Sequence, residues 1–150
     1  MLNRIRYRCW QFKQVLFPKI DMEVWNEALN FLPQEWRKHL IKLRPSERAH
    51  VLRVYSAIKK ADGISEEERS FLQKLALVHD IGKGVTRHSV FYKVAKVIFP
   101  ISNAAHCIAG ARLLKRLGAD RTLVKMVLRH HSINNTNRLL MIFQSYDDNL

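Results

Sequence analysis

Apolar residues recur at helical spacing along nearly the whole chain, and no stretch alternates apolar and polar residues with a period of two. Glycine and proline are sparse, with 5 and 4 residues among 150. A β-sheet would need the alternating pattern of strands, whereas scattered turn residues between apolar stripes are typical of packed helices. The sequence therefore predicts an all-α fold, and its length fits one compact domain.

Short polar residues and glycines mark where individual helices begin and end. Asp21 and Asp120 each precede a helical run and can cap it. Ser65 followed by Glu68 forms a capping box, and Gly118 after an apolar run is typical of a helix C-terminus. After a first helix that ends at Pro18, the predicted helices cover residues 21–29, 33–40, 45–58, 65–78, 90–98, 104–117, 120–130 and 136–143, the last starting at Thr136.

The chain is strongly basic, because 26 Lys and Arg against 13 Asp and Glu give a formal net charge of +13. The cations are spread through nearly every segment, and aromatic residues are not interleaved with them as stacking platforms would be. Nucleic acid and an acidic membrane surface are therefore the less favoured partners. A small anionic substrate, such as a nucleotide or another phosphoester, suits the charge better.

Only the N-terminal segment concentrates positive charge. Its apolar stripe consists of Ile5, Cys9, Phe12 and Leu16, and its cations are Arg4, Arg6, Arg8 and Lys13. Such a helix can lie on an anionic membrane, but it more often packs its stripe against its own domain. Charges interrupt this segment, so it has no signal-peptide core, and no uncharged stretch reaches the ~18 residues of a membrane span. We expect a cytoplasmic protein, and its 2 cysteines fit a reducing compartment.

Histidine and aspartate residues recur where helices begin or end. His79 and Asp80 directly follow an apolar run, and burying Asp80 there would be costly unless it is paired or bound to a metal. Neutral imidazole is the commonest metal ligand, and a mixed His/Asp set from several helices suits a first-row divalent ion. His39 and His88 are interpreted as ordinary core or surface residues. The remaining candidates are His50, His106, His130, His131, Asp147 and Asp148.

The segment HDIGK, which begins at His79, resembles the signature of the HD-domain superfamily of metal-dependent phosphohydrolases. His50 in RAHVLRV resembles the first ligand histidine of that family, and Asp147 in FQSYDD resembles its terminal aspartate. The resemblance implies a compact multi-helix HD-domain-like bundle over residues 45–150. Residues 1–44 would then form an N-terminal helical extension packed on this core.

The same resemblance implies a set of metal ligands. The implied ligands of one divalent ion are His50, His79, Asp80 and Asp147, and those of a second are His106 and His130, with Asp80 bridging the two ions. Two alternatives stay open: Asp148 in place of Asp147, and His131 in place of His130, since adjacent helical residues point about 100° apart. The ion or ions would be Mn, Fe, Co, Ni, Zn or Mg.

The implied activity is hydrolysis of a phosphoester or phosphoanhydride by a metal-activated water. Phosphomonoesterases, phosphodiesterases and dinucleoside polyphosphate hydrolases all belong to this class. Asp80 and Lys83 are the implied catalytic residues, with Lys83 either contacting a substrate phosphate or orienting Asp80. Arg87 is a weaker candidate for substrate binding.

Two other hypotheses compete with the enzyme. The first is a catalytically silent HD-type module whose basic surface binds nucleic acid or acidic lipid, and its binding would be salt-sensitive. The second is a purely structural metal site. Substitution of Asp80 separates these two hypotheses from the enzyme, because only an enzyme would lose both its metal and its turnover.

Overall fold

The structure is a computed structural model that describes residues 18–86 and 104–150. Within these two stretches the chain forms seven α-helices, one short 3₁₀ helix and no strand, which confirms the all-α prediction. The helices are α1 (Met22–Phe31), α2 (Gln34–Leu40), α3 (Pro45–Lys59), α4 (Glu66–Val78), α5 (Ala104–Arg116), α6 (Arg121–Arg129) and α7 (Arg138–Asp147), and the 3₁₀ helix (Ile81–Gly84) follows α4.

Four of the predicted caps lie at helix ends in the structure. Asp21 and Asp120 each accept two backbone N–H groups at the start of α1 and α6. The Ser65 hydroxyl accepts from the Glu68 N–H at 3.1 Å, while a Glu68 carboxylate oxygen accepts from the Ser65 N–H at 2.9 Å. Gly118 follows α5 with a φ of +75°, a conformation in which a Cβ atom would be strained.

The start of the last helix differs from the prediction. Asn137, not Thr136, caps α7, and its side-chain oxygen accepts from the Leu140 N–H at 3.0 Å. Thr and Asn are both good caps, so the sequence offered no basis for choosing between them. The predicted N-terminal basic helix, the predicted helix over residues 90–98 and Arg87 lie outside the described residues.

The apolar faces of the helices meet in one core. Helices α3 and α4 lie against each other, α7 packs on both, and α5 packs on α6 and on the 3₁₀ helix. The centre of this core is formed by fully buried side chains from five helices: Val51, Val54, Ile58, Leu72, Leu75, Leu114, Val127 and Phe143. The bundle therefore encloses the end of α4, where the HDIGK segment begins.

The two helices before residue 45 share this core. Trp25 of α1 and Trp36 of α2 are each 6% exposed, and the Trp36 indole N–H donates to the Leu117 carbonyl at 3.4 Å. Helix α2 also packs against the 3₁₀ helix, which contains part of the HDIGK segment. The division into an N-terminal helical extension over residues 1–44 and a core domain over residues 45–150 stays a prediction. No helix in the described part is long and apolar enough to cross a membrane.

Candidate metal centre

His79 and Asp80 lie at the C-terminal end of α4, and both are 1% exposed. His79 is the C-cap residue, and its backbone N–H donates to the Leu75 carbonyl at 2.8 Å. On its side chain, Nδ1 lies 2.8 Å from the Ala76 carbonyl oxygen. A carbonyl only accepts, so Nδ1 carries the hydrogen. In the neutral ring, Nε2 is therefore the lone-pair atom, and it faces the interior.

His130 repeats this arrangement at the end of α6. Its Nδ1 lies 2.7 Å from the Val127 carbonyl oxygen, and the residue is 1% exposed. Within the described part, Nε2 of His79, Nε2 of His130 and Oδ1 of Asp80 are buried and have no hydrogen-bond partner. Buried polar atoms are nearly always satisfied. Two imidazole lone pairs and a carboxylate oxygen that are buried without a hydrogen-bond partner are suitable ligands for a divalent cation.

The other predicted ligands come to the same place from separate helices. Asp147 of α7 places Oδ1 2.9 Å from Nε2 of His50 on α3 and 3.2 Å from Nε2 of His79. Only the contact with His50 has the geometry of a hydrogen bond. On the other side, Asp80 Oδ1 lies 3.4 Å from Nε2 of His106 on α5 and 3.9 Å from Nε2 of His130. Asp80 thus lies between two groups of potential ligands.

Three ligand atoms form the first of these groups, from His50, His79 and Asp147, and they lie within 4.8 Å of one another. The second group meets the same limit and consists of His106, Cys107, His130 and His131. Asp148, the alternative to Asp147, is exposed and belongs to neither. The assignment of these residues as ligands stays a prediction.

Two members of the second group, Cys107 and His131, were not in the preferred ligand set. Adjacent residues point about 100° apart only within a helix, whereas α6 ends at Arg129, and both His130 and His131 belong to the second group. The His131 ring centroid lies 5.3 Å from that of His106. Cys107 was passed over as one of only 2 cysteines, although its position next to His106 was a usable signal.

A side chain of α7 holds the loop that follows His130. The Gln144 amide N–H₂ donates to the backbone carbonyls of His130 and Ser132, each at 2.9 Å. Asp147 lies one turn further along the same helix. Helix α7 therefore positions both a candidate ligand and the segment that carries His130 and His131.

Gly82 lets the HDIGK segment lie directly against α5. A Cβ atom at this position would lie 2.0 Å from the His106 carbonyl oxygen and 2.6 Å from the Gly110 backbone nitrogen. Only glycine allows two backbones to approach this closely. This contact sets the distance between Asp80, which precedes the 3₁₀ helix, and His106.

The charges of the centre favour ionised carboxylates. Burial opposes ionisation of Asp80, but Lys83, His79 and His130 together hold its pKa well below the usual range. Burial likewise opposes ionisation of Asp147, and the two imidazoles beside it lower its pKa by more. Lys83 offsets part of the charge of these two buried anions, and a divalent cation would supply further positive charge.

The pKa values of the two buried histidines, His79 and His130, shift in opposite directions. Burial lowers the pKa of His79, but Asp80 and Asp147 raise it by more, so the net shift is upward. Burial, together with repulsion from His79 and His131, lowers the pKa of His130 to about 3. His130 is therefore neutral at physiological pH, the form in which an imidazole binds a metal.

Lys83 extends back from the 3₁₀ helix, and its ammonium contacts Asp80 Oδ2. Burial lowers the pKa of Lys83, but Asp80 raises it by more, so the group stays charged. Its side chain is 33% exposed, which leaves part of it facing solvent. Two cavities of about 570 and 430 Å³ elsewhere on the surface are lined by none of these residues. The converging side chains locate the centre.

Comparison with known protein families identifies the family of the chain. A family model described as HD domain matches residues 48–147. The matched range runs from the start of α3 to the end of α7, and it contains every residue of both ligand groups as well as Lys83. No match was found among curated proteins or among solved structures.

Proposed function

Because the chain belongs to the HD domain family, we propose that it is a metal-dependent phosphohydrolase whose reaction centre lies at Asp80. One observation carries the proposal. His79 and His130 each donate Nδ1–H to a backbone carbonyl, so in the neutral rings both Nε2 lone pairs lie near the Asp80 carboxylate, 3.5 Å from Oδ2 and 3.9 Å from Oδ1 respectively. Backbone hydrogen bonds of this kind fix the tautomer and orientation of metal-ligating histidines.

The chain's own residues would hold the ion and the substrate in defined positions. His50, His79 and Asp147 form one candidate cation group, and Asp80 lies between it and the second group. A divalent cation bound here would polarise a phosphoryl oxygen and lower the pKa of a bound water towards ~7, as zinc does in hydrolases. Lys83 would keep Asp80 ionised and add positive charge near the transferred phosphoryl group.

The accessible edge of the centre indicates the class of substrate. The buried floor consists of His79, Asp80 and His130, whereas the side chains of His50 and Lys83 are 23% and 33% exposed. His131 is exposed beside them. Nitrogen donors on this edge and the net charge of +13 suit an anionic ligand. We propose a small phosphorylated substrate, such as a nucleotide or another phosphoester or phosphoanhydride.

Metal content tests this proposal most directly. Elemental analysis of the full-length untagged protein should find bound divalent metal, and chelation should lower its melting temperature. A ligand that binds only the folded state stabilises it by about 2.7 kcal/mol at roughly 100 times its Kd. The metal-loaded protein should hydrolyse at least one of para-nitrophenyl phosphate, its diester and a dinucleoside polyphosphate. Metal without turnover would support the silent module, and no metal after reconstitution with manganese, iron or zinc would overturn the proposal.

Replacing Lys83 tests the role of its ammonium group. We expect Lys83→Gln to lower kcat/KM by roughly 10–100-fold, the range typical of groups that support a metal ligand. Metal content should be retained, because Lys83 is in neither ligand group. Lys60→Gln, which removes an exposed lysine just beyond α3, is the matched control. An unchanged kcat/KM in Lys83→Gln would mean that the Lys83 ammonium takes no part in the reaction.

A further inference from the structure

Cys107 lies among the imidazoles of the second ligand group. It is 3% exposed, and its Sγ atom lies 3.6 Å from Nε2 of His106. The four ligand atoms of the group, from His106, Cys107, His130 and His131, all lie within 4.8 Å of one another. A second, independent observation points to a ligand here: His130 is 1% exposed, and its Nε2 has no hydrogen-bond partner in the described part.

The separations match the edges of a tetrahedral metal site. Zinc binds sulfur at about 2.3 Å and nitrogen or oxygen at about 2.0–2.2 Å, which places neighbouring nitrogen and sulfur ligands about 3.6 Å apart. The same geometry places nitrogen and oxygen ligands about 3.4 Å apart. Nε2 of His106 lies 3.6 Å from Cys107 Sγ and 3.4 Å from Asp80 Oδ1. The distances from His106 Nε2 to Cys107 Sγ and to Asp80 Oδ1 therefore match those between ligands of a tetrahedral zinc ion.

We propose that the Cys107 thiolate is a metal ligand and that it makes the second cation group selective for zinc. This inference rests on the proposed function, because it assigns one of the cation groups of that centre. Thiolate is a soft ligand that favours zinc over manganese or magnesium, whereas carboxylate oxygen suits the harder ions. The first group offers two imidazoles and the carboxylate of Asp147 but no sulfur. The two groups therefore differ in chemistry, and the protein binds two kinds of ion with different preferences.

Cobalt(II) substitution in the full-length protein tests this directly, because a thiolate bound to cobalt gives a charge-transfer absorption band that nitrogen and oxygen ligands do not. We expect this band in the wild-type protein and its loss in Cys107→Ser. Cys9→Ser removes the chain's other cysteine and is the matched control, in which the band persists. Zinc affinity should fall by more than about 10-fold in Cys107→Ser, since loss of a group that only orients a ligand already lowers metal affinity by 10–100-fold. Manganese affinity should change little.

The outcomes separate this inference from the proposed function. Cobalt bound in the wild-type protein, as measured by elemental analysis, but without the band would overturn the role of Cys107 and leave the hydrolase proposal standing. A band that disappears in Cys9→Ser and persists in Cys107→Ser would also overturn it. No bound cobalt would overturn the role of Cys107, and it would overturn the hydrolase proposal as well only if manganese, iron and zinc also failed to bind. Should Cys107→Ser fail to fold, the band in Cys9→Ser still decides the matter, because Cys107 is then the only cysteine left.

Discussion

Asp80→Asn is expected to weaken metal binding and to lower phosphohydrolase activity, each by more than about 100-fold. Asp80 places Oδ1 between the two ligand groups, and its Oδ2 contacts Lys83. The amide has nearly the same shape as the carboxylate but carries no negative charge to attract a cation. Loss of a group that merely orients a ligand lowers metal affinity or activity by 10–100-fold, so loss of a ligand shared by both groups should lower them by more. Elemental analysis and turnover measured on the same sample check both effects.

Asp148→Asn is the matched control for this substitution. Asp148 is an exposed carboxylate beside Asp147, and it lies outside both ligand groups. The control should keep its metal and its activity, and it decides between the two aspartates that the sequence left open. Circular dichroism should show that both variants keep their helices. Full metal content and turnover in Asp80→Asn would remove Asp80 from the centre and refute the proposed chemistry.

Gly82→Ala should destabilise the protein and weaken metal binding together. The added Cβ atom would lie 2.0 Å from the His106 carbonyl oxygen and 2.6 Å from the Gly110 nitrogen, and both are backbone atoms that cannot rotate away. Forcing an extra carbon into a packed interior typically costs 1–3 kcal/mol, so we expect a loss of at least about 2 kcal/mol in the free energy of unfolding. Moving α5 also displaces His106 from Asp80. Denaturant melts and metal titration measure the two effects.

Gly84→Ala provides a control in the same short helix. A Cβ atom at Gly84 would come no closer than 3.5 Å, to the Lys42 Cβ, which is an ordinary van der Waals contact. We expect a change in stability within about 1 kcal/mol, the range for a glycine whose conformation alanine can adopt. If Gly82→Ala proved as stable as Gly84→Ala, the close approach of the 3₁₀ helix to α5 would not be what positions His106.

Much of the secondary structure could be predicted because its signals are local. Asp21, Ser65 and Asp120 cap helices through backbone groups two or three residues away, so the sequence alone contains both partners. The signal at the end of α5 is local as well, because Gly118 itself adopts the positive φ that follows the helix. The start of α7 was misplaced by one residue, since Thr136 and Asn137 are both acceptable caps and their surroundings decide between them.

The candidate site was predicted only in part. HDIGK is contiguous, so His79, Asp80 and Lys83 could be singled out from the sequence. The grouping of His50 with Asp147, which are 97 positions apart, depended on resemblance to a family and not on any local signal. Cys107 was left out of the predicted ligand set although it adjoins His106, because only the fold shows that α5 places its sulfur near the imidazoles of His130 and His131.

The helical class, most of the helix boundaries and the position of the HDIGK segment depend on interactions within a few residues, so they could be derived without coordinates. Which lone pairs face one another depends on how distant helices pack. The backbone carbonyls of Ala76 and Val127 fix the tautomers of His79 and His130, and Gly82 fixes the distance from α5. These contacts arise when separate helices pack around a buried carboxylate, and metal-site chemistry depends on such distances to within a few tenths of an ångström.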